Sequence, residues 1–165
     1  VYPVGAHGPG RAQPQGESMF NRKKATSGEA AERLARIGFF EGFTPEELQR
    51  VAELVDDVAA EPGAVLTEQG RPGTECFVIE SGQANVYFGG EHIATLGPGS
   101  MVGEMALLEH RPRIATVVAE TPMHLLGLDT RSFRALLEEM PKASQRVMSL
   151  LNARLQENAA RDVDG

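Results

Sequence analysis

Short apolar runs of period two, cut by glycine-rich turns and bracketed by helical spacing at both ends, predict a mainly β fold with flanking helices. At least six strand-like runs lie between about Val58 and Leu128. Each is bounded by a turn signal: Glu61-Pro62-Gly63, Gly70 to Gly73, Ser81-Gly82, Gly89-Gly90 and Gly97-Pro98-Gly99. An open sheet of such strands would leave two long edges unprotected, which favours a barrel or a rolled sandwich. The 165 residues suffice for one domain with a genuine core plus tails.

Residues 1–18 are rich in Gly, Pro and Gln and poor in apolar side chains, so they are expected to be disordered. Met19 is a candidate natural start, and the tail is drawn as 1–25. Ser27 is expected to cap a first helix with Ala30, Ala31, Leu34 and Ile37 at helical spacing, ended by Gly38. Phe39-Phe40 is a short apolar linker. Thr44-Pro45-Glu46-Glu47 then reads as an N-cap, a proline at the first helical position and a capping-box Glu. The helix it opens presents Leu48, Val51, Ala52, Leu54 and Val55.

Strands are expected at Ala64–Thr67, Glu75–Glu80, Ala84–Phe88, His92–Leu96, Ile114–Ala119 and His124–Leu128. The Gly89-Gly90 pair marks a tight hairpin, since both residues can take positive φ. After the last strand Thr130 is expected to cap a helix carrying Phe133, Leu136 and Leu137. Pro141 breaks or restarts it, and Val147, Leu150, Leu151 and Leu155 form the stripe of a final helix. The domain is drawn as 26–157, with a frayed tail at 158–165.

The net charge of −7 argues against a nucleic-acid partner, which usually demands a basic face. Arg22-Lys23-Lys24 is a local basic cluster, read as solvating the approach to a helix. The single cysteine, Cys76, sits in an apolar run and reads as a buried small hydrophobe. His7, His92, His110 and His124 lack metal-ligand spacing. No apolar run approaches the roughly 20 residues of a membrane span, and the N-terminus lacks a signal peptide's apolar core. No membrane partner, no metal and a cytoplasmic location are therefore expected.

One stretch, Met101 to Val117, does not fit a plain strand-turn-strand pattern. Gly103 to Leu108 has helix-forming residues but is too short for an independent helix, and reads as one helical turn inserted between strands. A helix N-terminus offers unpaired N–H groups and a positive dipole end to an anion. Gly103 lets a ligand approach the backbone, Arg113 can grip a phosphate bidentately, and Glu104 can accept from a sugar hydroxyl. The same residue types also fit a plain surface ion pair between Glu104 and Arg113.

The sequence GEMALLEHRPRIATV closely resembles the phosphate-binding cassette of cyclic-nucleotide-binding domains. The family pattern is a Gly-Glu-apolar-Ala-Leu turn, a loop of fixed length, then Arg, a small residue, Ala, Thr or Ser, and Val; here Arg113 falls nine positions after Glu104, as in the family. The resemblance covers roughly Phe39 to Leu155 and implies a double-stranded β-helix, a jelly-roll-like β-roll, with N-terminal helices and two C-terminal helices. It further implies that Glu104 accepts from the ribose 2′-hydroxyl and that Arg113 pairs with the exocyclic phosphate oxygens. Backbone N–H groups around Met105, Ala106 and Ala115 would complete the phosphate cage. Val86 and Phe88 match positions that pack on sugar and base, or are ordinary barrel core. Arg154 matches a position from which some relatives stack an arginine on the purine, with Met148 and Leu151 as weaker lid candidates.

Two residues depart from the pattern. Val102 replaces the Phe that commonly precedes Gly-Glu, and Ile114 replaces the Ala, Ser or Thr that follows the arginine. A hydroxyl there meets the guanine amino group in cyclic-GMP-selective members. Ile has none, which favours cAMP over cGMP but adds bulk beside the phosphate. The resemblance thus implies a non-catalytic cAMP sensor without further cofactor, in which binding draws the inserted turn inward and repositions the last helix, and whose N-terminal or C-terminal helices can dock on a protein effector. The alternative is a structural or interaction module of the same fold that no longer binds nucleotide. A winged helix-turn-helix reader would need roughly 60 further residues, so a stand-alone sensor or a piece of a larger protein is expected. A cupin-like enzyme on a similar roll would need a His-rich metal site that the spacing does not supply.

Overall fold

The computed structural model describes residues 19–25, 27–103, 112–113 and 115–164. Among these, nine strands form two antiparallel sheets. The first contains β1 (Phe20–Lys24), β2 (Asp56–Ala60), β9 (Met123–Asp129), β4 (Glu75–Ser81) and β7 (Met101–Val102), in the order β1-β2-β9-β4-β7. The second contains β3 (Val65–Thr67), β8 (Thr116–Ala119), β5 (Ala84–Phe88) and β6 (Glu91–Leu96), in the order β3-β8-β5-β6. Helix α1 (Ser27–Ala35), a 3-10 turn at Gly38–Phe40 and helix α2 (Pro45–Leu54) precede β2; helices α3 (Thr130–Glu139) and α4 (Pro141–Asp164) follow β9.

Alternation along the central strands divides the apolar side chains between two cores. Cys76, Val78, Leu126 and Leu128 point toward the helices and pack with Leu34, Phe39, Phe40, Phe43, Val51, Phe133, Leu136 and Val147. Their neighbours Phe77, Ile79, Met123 and Leu125 point the other way, into the roll, against Ala64, Leu66, Ala84, Val117 and Ala119 of the facing sheet. The central strands of the first sheet are therefore buried on both faces, which is why β4 reads CFVI without a polar break. Cys76 is wholly buried, as a small hydrophobe should be.

The capping box at α2 forms as its sequence requires. Thr44 Oγ1 accepts from the Glu47 N–H at 3.1 Å, and the Glu47 carboxylate accepts from the Thr44 N–H at 2.8 Å. The Gly89-Gly90 turn takes positive φ at both residues.

Several expectations need correction. The segment 1–25 is not all tail, because Phe20–Lys24 pairs with β2 in register from Phe20↔Ala60 to Lys24↔Asp56. Arg22-Lys23-Lys24 accordingly lies in an edge strand and does not lead into a helix. Helix α1 starts at Ser27 and stops at Ala35, and Gly38 opens the 3-10 turn instead of ending the helix. The cap of α3 is Asp129, one residue before Thr130: its carboxylate accepts from the Ser132 N–H at 2.8 Å and reaches the first-turn donors. The segment 158–165 does not fray from 158, since α4 runs on to Asp164. Its residues 155–161, Leu-Gln-Glu-Asn-Ala-Ala-Arg, are mostly good helix formers that continue the preceding turn. Met101–Val102 forms the short strand β7, paired to Phe77 and Val78.

Candidate nucleotide-binding site

The site lies at one end of the roll, where β7 runs out into Gly103 and the chain returns through Arg113 into β8. Arg113 is a buried charged residue, 8% exposed. Its Nη1 donates to the Gly103 carbonyl at 2.8 Å, and its Nη2 donates to the Glu75 carbonyl. Both of these acceptors are main-chain carbonyls, and together they orient the guanidinium.

Gly103 is required by this seat. Its φ is +89°, and an added Cβ would overlap Arg113 Nη1 and come within 3.2 Å of both Arg113 Cζ and the Glu75 oxygen. The glycine that the sequence marked as a place of close approach is thus approached by the site's own arginine.

The return strand is tied down by its backbone. The Arg113 N–H donates to the Arg71 carbonyl and the Gly70 N–H to the Arg113 carbonyl, both at 2.8 Å. Thr67 Oγ1 donates to the Ala115 carbonyl at 3.1 Å, and Thr116 Oγ1 accepts from the Gln69 N–H at 3.0 Å. Gln69 Oε1 in turn accepts from the Gly89 N–H at 3.0 Å, which joins the 68–73 loop to the β5–β6 hairpin. Thr67 and Thr116 are buried polar residues whose hydroxyls these bonds satisfy. Thr67, Gln69 and Thr116 were not legible as site residues, because a hydroxyl or amide bonded to main chain leaves no spacing signature.

Among the sequence-predicted site residues, the fold brings Gly103 and Arg113 together. Ala115 is half-buried beside them, and its carbonyl is held by Thr67. Val102 is fully buried in β7 and belongs to the roll core. Val86 is half-buried and packs against that core. Phe88 is not core: it is 49% exposed beside the Gly89-Gly90 turn. On α4, Leu151 is buried and Met148 is exposed. Glu104, Met105, Ala106 and Ile114 lie outside the described residues, as does the side chain of Arg154. Among the described residues, no group of His, Cys, Asp and Glu is arranged to hold a metal ion, and no helix is long and apolar enough to cross a membrane.

On the far side of the first sheet, Arg33 of α1 forks onto two carboxylates, Asp57 of β2 at 2.9 Å and Glu80 of β4 at 2.7 Å. Hydrogen bonds to Glu80 and then Asp57 hold the Arg33 pKa above its ordinary value. This pins α1 to the sheet. At the start of β4, Arg22 holds both carboxylate oxygens of Glu75, whose carbonyl receives Arg113.

Residues 57–140 match the family model of the cyclic nucleotide-binding domain. Over 120 residues the chain is 32% identical to a cAMP-dependent protein kinase type II regulatory subunit of Drosophila melanogaster, covering 73% of this chain and 32% of that one. Over 126 residues it is 36% identical to the acetyltransferase Pat of Mycolicibacterium smegmatis, covering 74% of this chain and 38% of that one. The chain thus spans well under half the length of these curated relatives. A crystal structure of a cyclic nucleotide-binding domain from Methylobacillus flagellatus superposes with a TM-score of 0.69 at 26% identity, over 88% of this chain and 89% of that one. With a model match over half its length, a β-roll of the same architecture and a buried arginine at the mouth of that roll, the chain belongs to the cyclic nucleotide-binding domain family.

Proposed function

We propose that this domain senses cAMP, in preference to cGMP, as a regulatory element that itself catalyses nothing. The observation that carries the reading is the seat of Arg113. A buried guanidinium stands at the mouth of the roll, oriented by the carbonyl of the residue that immediately precedes Glu104. Arg113 would take the cyclic phosphate, with backbone N–H groups around Met105, Ala106 and Ala115, and Glu104 would take the ribose hydroxyl. Phe88, exposed on the hairpin tied to this loop system through Gln69, is available to an apolar ligand face. Arg154 is the proposed lid, and Ile114 offers no hydroxyl to a guanine. Protein effectors are proposed to dock on the flanking helices. The kinase regulatory subunit among the relatives supports a regulatory role, and the acetyltransferase shows that a relative can carry an activity of its own.

The test is thermal melting with cAMP, cGMP and 5′-AMP. A ligand that binds only the native state raises the midpoint, by about 5–10 °C at a hundredfold excess over Kd. cAMP should give the largest rise and 5′-AMP the smallest. A cGMP rise equal to that of cAMP would remove the selectivity; no rise with either would remove the function. The second reading, a binding-incompetent module, rests on the bulk of Ile114. Ile114→Ala separates the two, because gain of a cAMP shift only in that variant would show the site blocked by the side chain.

A further inference from the structure

The arginine of the proposed phosphate site is held by a carbonyl, and that carbonyl belongs to a residue whose side chain is gripped from the N-terminal strand. Glu75 opens β4. Its main-chain oxygen accepts from Arg113, and its carboxylate accepts from both terminal nitrogens of Arg22, one of these bonds measuring 2.8 Å. Arg22 also lies 3.5 Å from Asp56, which Lys24 approaches at 3.3 Å. The guanidinium pKa is raised above its ordinary value, chiefly by the Glu75 hydrogen bond.

The pairing of the sheet explains how β1 reaches β4 across two intervening strands. Arg22 pairs with Val58, Asp56 with Gly127, and Gly127 with Phe77. Directly opposed residues share a face, so Arg22 and Gly127 lie on the same face of the sheet as Val58, whose side chain enters the roll core, while Arg22 itself is exposed at the edge. Gly127 leaves the gap through which the pair crosses. A Cβ there would lie 2.8 Å from Glu75 Oε2, 3.2 Å from Val58 Cγ2 and 3.3 Å from Arg22 Nη1. The route from Arg22 over Gly127 to Glu75, and through its backbone to Arg113, consists of direct contacts.

We infer that Arg22 is a positioning residue of the nucleotide site: the N-terminal strand, through Glu75, sets how Arg113 meets the cyclic phosphate. The inference rests on the assignment of Arg113 to the phosphate. A two-point Arg–carboxylate clamp fixes the direction of the Glu75 side chain and with it the start of β4. Released from the clamp, the Glu75 carbonyl no longer holds one fixed position, and the guanidinium that leans on it loses its orientation.

The experiment is calorimetric titration of the whole chain with cAMP, for the wild type and for Arg22→Ala, Arg22→Lys, Glu75→Gln, Arg113→Lys and the Arg22→Ala/Arg113→Lys double variant. Arg22→Ala should weaken binding by about five- to tenfold, within the range for residues that act through a packed network. Arg22→Lys, which keeps the charge but not the fork, should recover part of the loss. The double variant should bind no more weakly than Arg113→Lys alone, because both changes spoil one contact. A purely structural role would lower the ligand-free melting point and multiply with the Arg113→Lys effect. If Arg22→Ala does not fold, Glu75→Gln carries the same test, since it keeps the side chain's shape and removes its charge. Wild-type affinity in Arg22→Ala or Glu75→Gln, or fully additive losses in the double variant, overturns the inference while Arg113→Lys still reports on the site. Absence of cAMP binding by the wild type, or wild-type affinity in Arg113→Lys, overturns the assignment of Arg113 and the inference with it.

Discussion

The helical layer and the mouth of the roll are built from different materials. In the helical layer Phe39, Phe40 and Phe43 meet edge to face at 5.1 and 5.3 Å between centroids, and Lys142 and Arg146 of α4 stand over the Phe43 ring at 5.7 and 5.9 Å. Arg146 donates to the carbonyls of Gly38, Phe39 and Glu41; Lys142 donates to the Gly42 carbonyl and the Glu47 carboxylate, both at 2.8 Å. At the mouth of the roll the loops are joined by hydrogen bonds of Thr67, Gln69, Thr116 and Arg113. Large buried side chains stabilise by several kcal/mol each, whereas one hydrogen bond contributes about 1 kcal/mol. Disrupting a buried aromatic of the helical layer should therefore cost more stability than removing one hydrogen bond at the mouth.

The largest effect should come from the layer. Phe40→Ala removes a side chain 1% exposed and should cost about 3–5 kcal/mol in chemical denaturation. A cost below about 1 kcal/mol would show that the aromatic group does not carry the layer. Gly103→Ala is the matching change at the mouth. Positive φ and the overlap with Arg113 should cost about 1–3 kcal/mol of stability, and cAMP binding should fall at least tenfold by calorimetry. If stability falls but affinity does not, the seat of Arg113 is not part of the site.

A smaller loss is expected at the start of α2. Thr44→Ala removes the capping-box acceptor and should cost about 1 kcal/mol, with unchanged nucleotide affinity. The smallest effect is a pH dependence. The Lys142 hydrogen bond lowers the pKa of Glu47, the Arg50 hydrogen bond that of Glu139, and the Ser132 N–H that of Asp129. Depressed carboxylates stabilise the fold above their unfolded pKa, and that contribution is lost as pH falls through the folded value. The melting point should therefore be level from pH 7 to about pH 5 and decline below about pH 4.5. A decline that begins at neutral pH would point to other groups.

The six strands expected between Ala64 and Leu128 were legible because burial wrote them into the sequence; β2 (Asp56–Ala60) was not named among them, because it follows α2 almost directly and opens on two aspartates. CFVI of β4 and the alternation around the Gly89-Gly90 turn follow from packing on one or both faces. Strand β1 was not, because Phe-Asn-Arg-Lys-Lys is largely exposed at a sheet edge and is held by main-chain pairing and by charge across the sheet. Met101–Val102 is too short to show a period. The cap of α3 was misplaced by one residue, since Asp129 and Thr130 are both good caps and only the turn geometry chooses. At the candidate site, Gly103 and Arg113 were named from their residue types and from the resemblance to the phosphate-binding cassette, and the fold brings the two together. The Glu75 seat was not, because a main-chain acceptor can come from any residue, and Arg22 becomes visible only once β1 is paired across the sheet.

The central claim is that Arg113 holds the phosphate of a cyclic nucleotide, and calorimetric titration of cAMP into the wild type and Arg113→Lys tests it most directly. The account predicts saturable one-site binding by the wild type and at least tenfold weaker binding by the variant, because Lys replaces a planar two-point donor with a single ammonium. Equal affinities in the two proteins, or no binding by the wild type, would contradict it.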